Sequence, residues 1–328
     1  MPGGFTMGRK GLGVTVLMLL GISLLLGIQP AWGKYPERKI KFICAWAAGG
    51  GSDLMARMLT RLVNPDLGGR VYVENITGAS GLMGIREALA APPDGYTIML
   101  LTTTNTIAPN VIKDYPSVEL LEALNVAAED PMIFAVAVDS PLKTVADLIA
   151  KAKANPGKVT GATAGHGSPQ HLANAAFAAA TGTEISYVPY KGAAPALVAA
   201  AGKHVDFASA GISEAVTLKE GNKIRALVSL SAKRTRLYPD TPTACELGYD
   251  IVISRWMGVG VPKGLPPDVK AILLAAFKKA MATEEFKKFV AQNGLEPFTG
   301  GQEEAKAWIK NQNDYFKKVA ERAGIKPE

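Results

Sequence analysis

The sequence KIKFICAWAAGGGSD, residues 39–53, constrains the fold of this chain most, because an apolar run ends there in three consecutive glycines. The run predicts a strand over residues 40–46, with Ser52 as the N-cap of a following helix. The apolar positions of that helix have helical spacing and are Met55, Met58, Leu59 and Leu62. A glycine loop before a helix points backbone N–H groups outward, where an anion can bind. The geometry of a tight turn explains the glycines about as well.

Strands and helices alternate through the rest of the chain. Further strands are predicted at residues 71–74, 96–101, 134–138, 159–162, 185–188, 205–208, 224–230, 251–254 and 257–261. This alternation predicts an α/β fold with a mostly parallel sheet and right-handed crossovers. Ligands of such sheets bind outside the carboxyl ends of the strands, where Thr103 follows the strand at residues 96–101.

A second glycine loop follows the predicted strand at residues 159–162. It consists of Ala164, Gly165, His166, Gly167 and Ser168. Ser168 is the predicted N-cap of the next helix, with Pro169 at its first position. Thr144, with Asp147 three residues later, predicts another helix start of the capping-box type. The loop design of residues 46–53 therefore recurs in the second half of the chain.

The N-terminus has the pattern of a secretory signal peptide. Arg9 and Lys10 precede a Leu-rich run at residues 12–26, and the small-residue pattern of residues 31–33 follows. We expect cleavage near Gly33 and export. The competing interpretation is an uncleaved membrane anchor, but the run is shorter than the roughly 20 residues that a spanning helix needs.

Charge and cysteine content exclude several classes of partner. The formal net charge is +7, and the basic residues are scattered over predicted helix surfaces without interleaved aromatic side chains, which disfavours a nucleic-acid partner. The positive sign favours an acidic ligand. Cys44 and Cys245 could pair in an exported protein, but Cys44 lies in a strand pattern typical of a buried free thiol. Neither cysteine has metal-ligand spacing around it.

The common enzyme motifs are missing from the sequence. The strand-to-helix junctions contain no G-x-S-x-G, no P-loop and no G-x-G-x-x-G pattern. His166 and His171 are five residues apart, a poor match to a helical zinc pair. We therefore predict no enzyme, cofactor or metal. An exported enzyme acting on a small carboxylate, with His171 or Asp53 as the base, is the alternative.

Four polar side chains have two interpretations each. Asp53 is either a first-turn acid that stabilises the helix dipole or a group that orients loop amides or accepts from a ligand hydroxyl. His171 is either a partly buried helix residue or a ligand contact. Lys191 and Arg255 are the free cations best placed to pair with a carboxylate. Lys191 is alternatively solvated surface, and for Arg255, beside Trp256 at a strand end, a ligand role and a structural role are both open.

An ordered set of motifs resembles the extracytoplasmic solute receptors of the tripartite tricarboxylate transporters, the Bug or TctC-type family of periplasmic binding proteins. The set comprises Tyr35-Pro36, residues 40–46 with 49–53, residues 73–75 with 78–81, residues 93–97, residues 164–168 with 171–173, and residues 188–192 with 194–197. It covers essentially all of the chain after the predicted signal peptide. The departures are Ala45 and Ala47, where prolines are common, Trp46, where Phe is usual, and Arg255.

The resemblance implies a type II Venus flytrap of two domains, each a mostly parallel sheet flanked by helices, with the ligand cleft between them. Domain 1 is then discontinuous, residues 34–131 and 254–328, and domain 2 is residues 132–253. In the family, the loops matching residues 46–53 and 165–168 hold a carboxylate, largely through backbone amides, small side chains and bridging waters. Closure would add Tyr190 to the ligand's surroundings.

The sequence and the resemblance together predict a monomeric periplasmic receptor for a small organic acid, a di- or tricarboxylate or a related carboxylate. It would deliver this solute to the membrane permease subunits of a tripartite tricarboxylate-type transporter. A receptor that feeds a sensor kinase is a further alternative. The predicted ligand-binding residues are Trp46, Ala47, Ala48, Gly51, Ser52, Asp53, Thr103, Gly165, His166, Gly167, Ser168, His171, Tyr190, Lys191, Asp206 and Arg255.

Overall fold

The computed structural model describes residues 35–322 together with residues 1, 3, 324, 325 and 327. Arg38–Glu328 forms one compact unit, and Met1–Glu37 forms a separate one. Apart from residues 1 and 3, the predicted signal peptide lies outside the described residues. Within the described part, no helix is both long enough and apolar enough to cross a membrane.

The first six elements of the compact unit alternate strand and helix. They are β1 (Ile40–Cys44), α1 (Gly51–Val63), β2 (Val71–Asn75), α2 (Leu82–Ala90), β3 (Thr97–Thr102) and α3 (Thr104–Val111). β1 pairs in parallel with both β2 and β3, so the loops after β1 and β3 leave the sheet at the same edge.

The middle of the sheet is a long strand, β4 (Leu121–Ala137), which changes partners along its length. Its first part pairs antiparallel with β9 (Ser254–Pro262), down to the pair Pro131–Ser254. From Met132 onward it pairs antiparallel with β7 (Phe207–Gly211) and, from Ile133, with β8 (Ile224–Ser229). β4 therefore runs through both halves of the sheet.

The second half repeats the alternation of the first. Its elements besides β7 and β8 are α4 (Val145–Ala154), β5 (Val159–Thr163), α5 (Pro169–Thr181), β6 (Ile185–Pro189), α6 (Ala193–Ala201) and α7 (Ile212–Glu220). β5 pairs in parallel with β6 and β7. The chain ends with α8 (Pro267–Ala282), α9 (Glu284–Gln292), β10 (Glu296–Pro297) and α10 (Gln302–Arg322).

The predicted α/β class is confirmed, and the sheet is mixed. The strand order is β2-β1-β3-β9-β4-β7-β5-β6, with β8 and β10 also paired to β4. The N-caps predicted at Thr144 and Ser168 are confirmed, because each side chain accepts a hydrogen bond from the helix backbone. The N-cap predicted at Ser52 is wrong: α1 begins at Gly51 after Gly50, because the last glycine is already helical.

Buried apolar side chains fill the interior of both halves of the fold, on either side of the point where β4 changes its pairing strands. In the second half, the Phe134 ring contacts the rings of Phe177 and Phe207 at centroid distances of 5.1 and 4.9 Å. In the first half, the fully buried Trp256 packs edge-on against Trp308. Cys44 is buried and Cys245 is exposed, and both are free thiols.

Candidate functional site

A cavity of about 520 Å³ lies where the carboxyl ends of the strands meet. Five helices begin at its wall, because residues in or just before the first turns of α1, α3, α5, α6 and α7 line it. Each of these helices directly follows one of the strands β1, β3, β5, β6 and β7. Helix N-termini present unpaired N–H groups and partial positive charge. Their convergence makes this wall a site for a negatively charged group.

The first glycine loop is held in shape by Asp53, which is buried behind it. Oδ2 of Asp53 accepts hydrogen bonds from the Gly49 N–H at 2.9 Å and from Nε of Arg57 at 2.8 Å. Oδ1 accepts from Nδ2 of Asn75, which also donates to the backbone oxygen of Trp46. Burial alone would raise the pKa of Asp53, but these hydrogen bonds outweigh it and lower the pKa. Asp53 therefore orients a loop amide and stays ionised.

The second glycine loop is anchored by Ser168 and two histidines. Ser168 Oγ accepts from the His171 N–H and donates to the backbone oxygen of Gly165. Nδ1 of His171 accepts from the Gly167 N–H at 3.4 Å, and the His166 ring lies 4.7 Å from the His171 ring. Burial, with a smaller contribution from His166, lowers the pKa of His171 to about 4. His171 is therefore a neutral acceptor at neutral pH.

A third lining segment precedes α6 and includes Lys191 and Gly192. Lys191 is exposed and forms no ion pair with the part of the chain that the structure describes. Its side chain therefore adds an uncompensated positive charge to the rim of the cavity.

Arg255 sits between two acidic side chains at the cavity wall. Its Nη1 lies 3.1 Å from Oδ2 of the fully buried Asp130 and also contacts Oε2 of Glu214. Burial raises the pKa of both carboxyl groups, and the Arg255 charge opposes this rise. The expectation that Arg255 is a free cation is wrong, because the strand pairing of β4 with β9 sets it beside Asp130.

Glycine 211 makes room for this ion cluster. A Cβ at Gly211 would lie 2.1 Å from Oδ2 of Asp130 and 2.8 Å from Nη1 of Arg255. Ser213, two residues later, donates its backbone N–H to Oδ1 of Asp130 at 3.1 Å and its hydroxyl to Oδ2 at 2.6 Å. The N-terminus of α7 is thus occupied by the protein's own carboxylate.

Nine of the sixteen predicted residues line the cavity: Trp46, Ala47, Ala48, Gly51, Ser52, Thr103, Ser168, Lys191 and Arg255. Six others support the wall from behind or beside it: Asp53, Gly165, His166, Gly167, His171 and Tyr190. Asp206 lies elsewhere, because it precedes β7 and so stands at the opposite edge of the sheet from the loops. There it pairs with Lys151 and accepts from the Thr160 N–H.

Several cavity residues were not identified from the sequence, notably Gln170, Ser213 and Glu214. Glu214 was missed because α7 was not predicted as a helix. The sequence carried no clear signal there, because Gly211 at the N-cap has no side chain and so lacks the Ser or Thr that marks a capping box. Among the described residues, no group of three or more acidic, histidine or cysteine side chains could hold a metal ion.

Comparison with known families gives a match over residues 55–325 to the tripartite tricarboxylate transporter family receptor model. A relative from Cupriavidus necator, named UPF0065 protein in gbd 5′ region, is 33% identical over 280 residues, 84% of this chain and 85% of its own length. Protein BugT of Bordetella pertussis is 30% identical over 299 residues, 89% of this chain and 91% of its own.

Solved structures agree with this match. The periplasmic binding protein BugD superposes with a TM-score of 0.82 at 31% identity, covering 90% of this chain and 100% of BugD. Rpa4515 of R. palustris, solved with adipate, superposes with a TM-score of 0.84 at 27% identity, again covering 90% and 100%. These structures share with the chain a mixed sheet flanked by helices.

Proposed function

The chain belongs to the tripartite tricarboxylate transporter family of receptors, and we propose on that basis that it binds a small carboxylate in the cavity between the two glycine loops. Members of this family are solute receptors and not enzymes. Rpa4515, which has 27% identity to this chain, was solved with the dicarboxylate adipate. The proposed solute is a di- or tricarboxylate or a related organic acid.

The observation that carries this proposal is the convergence of helix N-termini on one cavity. The first turn of α1 leaves N–H groups without intrahelical partners at residues that line the wall. Ser52 and Thr104 also line the wall, and neither side-chain hydroxyl group has a hydrogen-bond partner within the described residues. Both hydroxyl groups are therefore available to a ligand in the cavity. A carboxylate supplies acceptors for all of them.

The proposed binding mechanism is closure of two domains, residues 34–131 with 254–328 and residues 132–253. The change of partner on β4 supports this division, since Pro131 pairs with Ser254 and Met132 pairs with Gly211. The cavity is lined from both sides of this division, by Gly51 from one and Ser168 from the other. Closure of this kind traps a ligand that one domain already holds.

The proposed location is the periplasm, after export directed by residues 1–33, and the proposed partners are the membrane permease subunits of a tripartite transporter. The family receptors act in the periplasm, which supports the location. We propose that the receptor is a monomer that hands its solute to the permease.

Thermal unfolding with matched ligands tests this function. The protein, refolded from denaturant to remove carried-over ligand, is titrated with mono-, di- and tricarboxylates and with their uncharged amides. We expect at least one carboxylate to raise the unfolding temperature saturably, since a ligand of the native state stabilises it. Equal shifts with the amides, or none with any carboxylate, would overturn the proposal.

A variant pair localises the effect. Ser168→Phe fills the cavity and should abolish the shift. Thr144→Phe alters an N-cap of the same type on α4, outside the cavity, and should retain it. Retention of the shift in both variants would place the ligand elsewhere.

A further inference from the structure

The wall formed by α7 and β9 differs in charge from the glycine loops. Arg255 is the single cation of its ion cluster, and it faces two carboxylates, Asp130 and Glu214. With both carboxyl groups ionised, the formal charge of the cluster is −1. The cavity therefore has an electropositive side, formed by helix N-termini and Lys191, and an electronegative side.

The two carboxylates of the cluster differ in how many of their oxygens accept hydrogen bonds from the protein. Both oxygens of Asp130 accept hydrogen bonds from Ser213, and Asp130 is fully buried away from solvent. Glu214 is partly accessible and lines the cavity. Its hydrogen bonds within the described residues, from Gly211 and Arg255, both go to Oε2. Oε1 of Glu214 is therefore the acceptor that remains for a ligand.

Gln170 provides an independent indication of a polar ligand group. Its side chain lines the cavity at 3% exposure and has no hydrogen-bond partner within the described residues. Gln170 lies in the first turn of α5, after β5, and Glu214 lies in the first turn of α7, after the neighbouring strand β7. Because the residue lines the cavity, a ligand that donates to its amide oxygen would complete its hydrogen bonding.

A second ligand carboxylate fits this wall poorly. It would be the third carboxylate around one guanidinium group, and like charges at such distances repel. A hydrogen-bond donor, and above all an ammonium group, is attracted by the cluster charge and has N–H groups for the free oxygens.

We propose that the receptor selects a carboxylate that also carries an ammonium group, with the ligand carboxylate at the glycine loops and the ammonium at Glu214 and Gln170. This rests on the proposed function. It adds that Glu214 determines specificity, by rejecting acids that lack a donor at this position.

Calorimetric titration of the full chain, refolded from denaturant, tests the assignment. The probes are 2-amino and terminal amino acids of three to six carbons, each with its deaminated acid, together with the unsubstituted diacids of those lengths. At least one aminocarboxylate should bind tenfold or more tightly than its deaminated counterpart. In Glu214→Gln the preference should fall below threefold, while the deaminated acid binds as well as before or better. Glu220→Gln, an exposed acid on the same helix, should keep the full preference.

The outcomes distinguish failure of this specificity assignment from failure of the proposed receptor function. If deaminated acids or plain diacids bind at least as tightly as every aminocarboxylate, the specificity assignment is overturned and the receptor function stands. If no probe binds at all, both are overturned. The comparison within the unaltered protein decides even if Glu214→Gln does not fold. If the variant folds and keeps the preference, Glu214 is not the determinant.

Discussion

Nε2 of His166 lies 3.2 Å from the backbone oxygen of Val111, so the second glycine loop is joined by a hydrogen bond to the end of α3. Beside it, the hydroxyl of Ser80 donates to the backbone oxygen of His166 at 3.1 Å. Both contacts cross the proposed domain division, and neither His166 nor Val111 lines the cavity. If the receptor closes on its ligand as proposed, bonds across this division would stabilise the closed arrangement.

His166→Ala should therefore weaken carboxylate binding, although His166 does not itself line the cavity. Loss of one hydrogen bond costs about 1 kcal/mol, or about fivefold in affinity. Titration calorimetry measures the change, and His204→Ala, an exposed histidine, serves as the control. Equal affinities in the two variants would mean that the His166 contact plays no part in closure.

Asp53→Asn should lower both stability and ligand affinity, although Asp53 lies behind the cavity. The amide loses the charge that binds Arg57 and can no longer accept in the same way from Gly49 and Asn75. Hydrogen bonds to charged groups contribute about 2 kcal/mol, which is the expected loss in urea unfolding.

The control for Asp53 is Asp314→Asn, which removes an exposed ion pair with Lys310 and should cost less than about 0.5 kcal/mol. An Asp53→Asn variant as stable as the Asp314→Asn variant would contradict the role given to Asp53 in shaping the glycine loop.

His171 should make stability depend on pH in mildly acidic solution. Its pKa is about 4 in the folded protein, against an ordinary value of 6.5, so only the unfolded chain takes up a proton between these values. Its contribution to stability is full above pH 6.5 and is lost as the pH falls toward 4, at about 1.4 kcal/mol per pH unit.

Urea unfolding at pH 7.5 and pH 5 measures this effect. His171→Gln should lose about 2 kcal/mol less than the unaltered protein between the two values. His204→Gln should behave like the unaltered protein. Identical losses in all three proteins would show that His171 is not held neutral by its surroundings.

Lys191→Met should reduce carboxylate affinity mainly through charge. An exposed cation at the rim contributes on the order of 1 kcal/mol, so a loss of about fivefold is expected, together with a weaker dependence of affinity on salt. Lys158→Met, on an exposed turn outside the cavity, should change neither quantity. An unchanged salt dependence in Lys191→Met would exclude an electrostatic role.

Local signals in the sequence sufficed for the glycine loops. Ser168 with Pro169, and Thr144 with Asp147, are cap patterns that act over three residues, and the structure has helices beginning at both. The location of the site at the carboxyl ends of the strands was also predicted, because alternating strands and helices place the loops that bind ligands at that edge of the sheet.

Long-range pairing explains what the sequence did not reveal. The first part of β4 contains Asp130-Pro131, which argues against a strand when read alone, yet β9 pairs with that part through Ser254. The same pairing brings Arg255 to Asp130 from 125 residues away. The ion pairs of Arg255 and the position of Glu214 at the cavity therefore could not be predicted from local spacing.

The most direct test of carboxylate binding at the glycine loops uses NMR spectra of the protein labelled with ¹⁵N-glycine. The spectra are recorded while a carboxylate that binds the protein is added stepwise. The amide signals of Gly50, Gly51 and Gly192, which line the cavity, should shift saturably with a single dissociation constant. The signals of Gly182 and Gly248, in turns outside the cavity, should stay in place. Saturable binding that leaves the signals of Gly50, Gly51 and Gly192 unmoved would contradict the account.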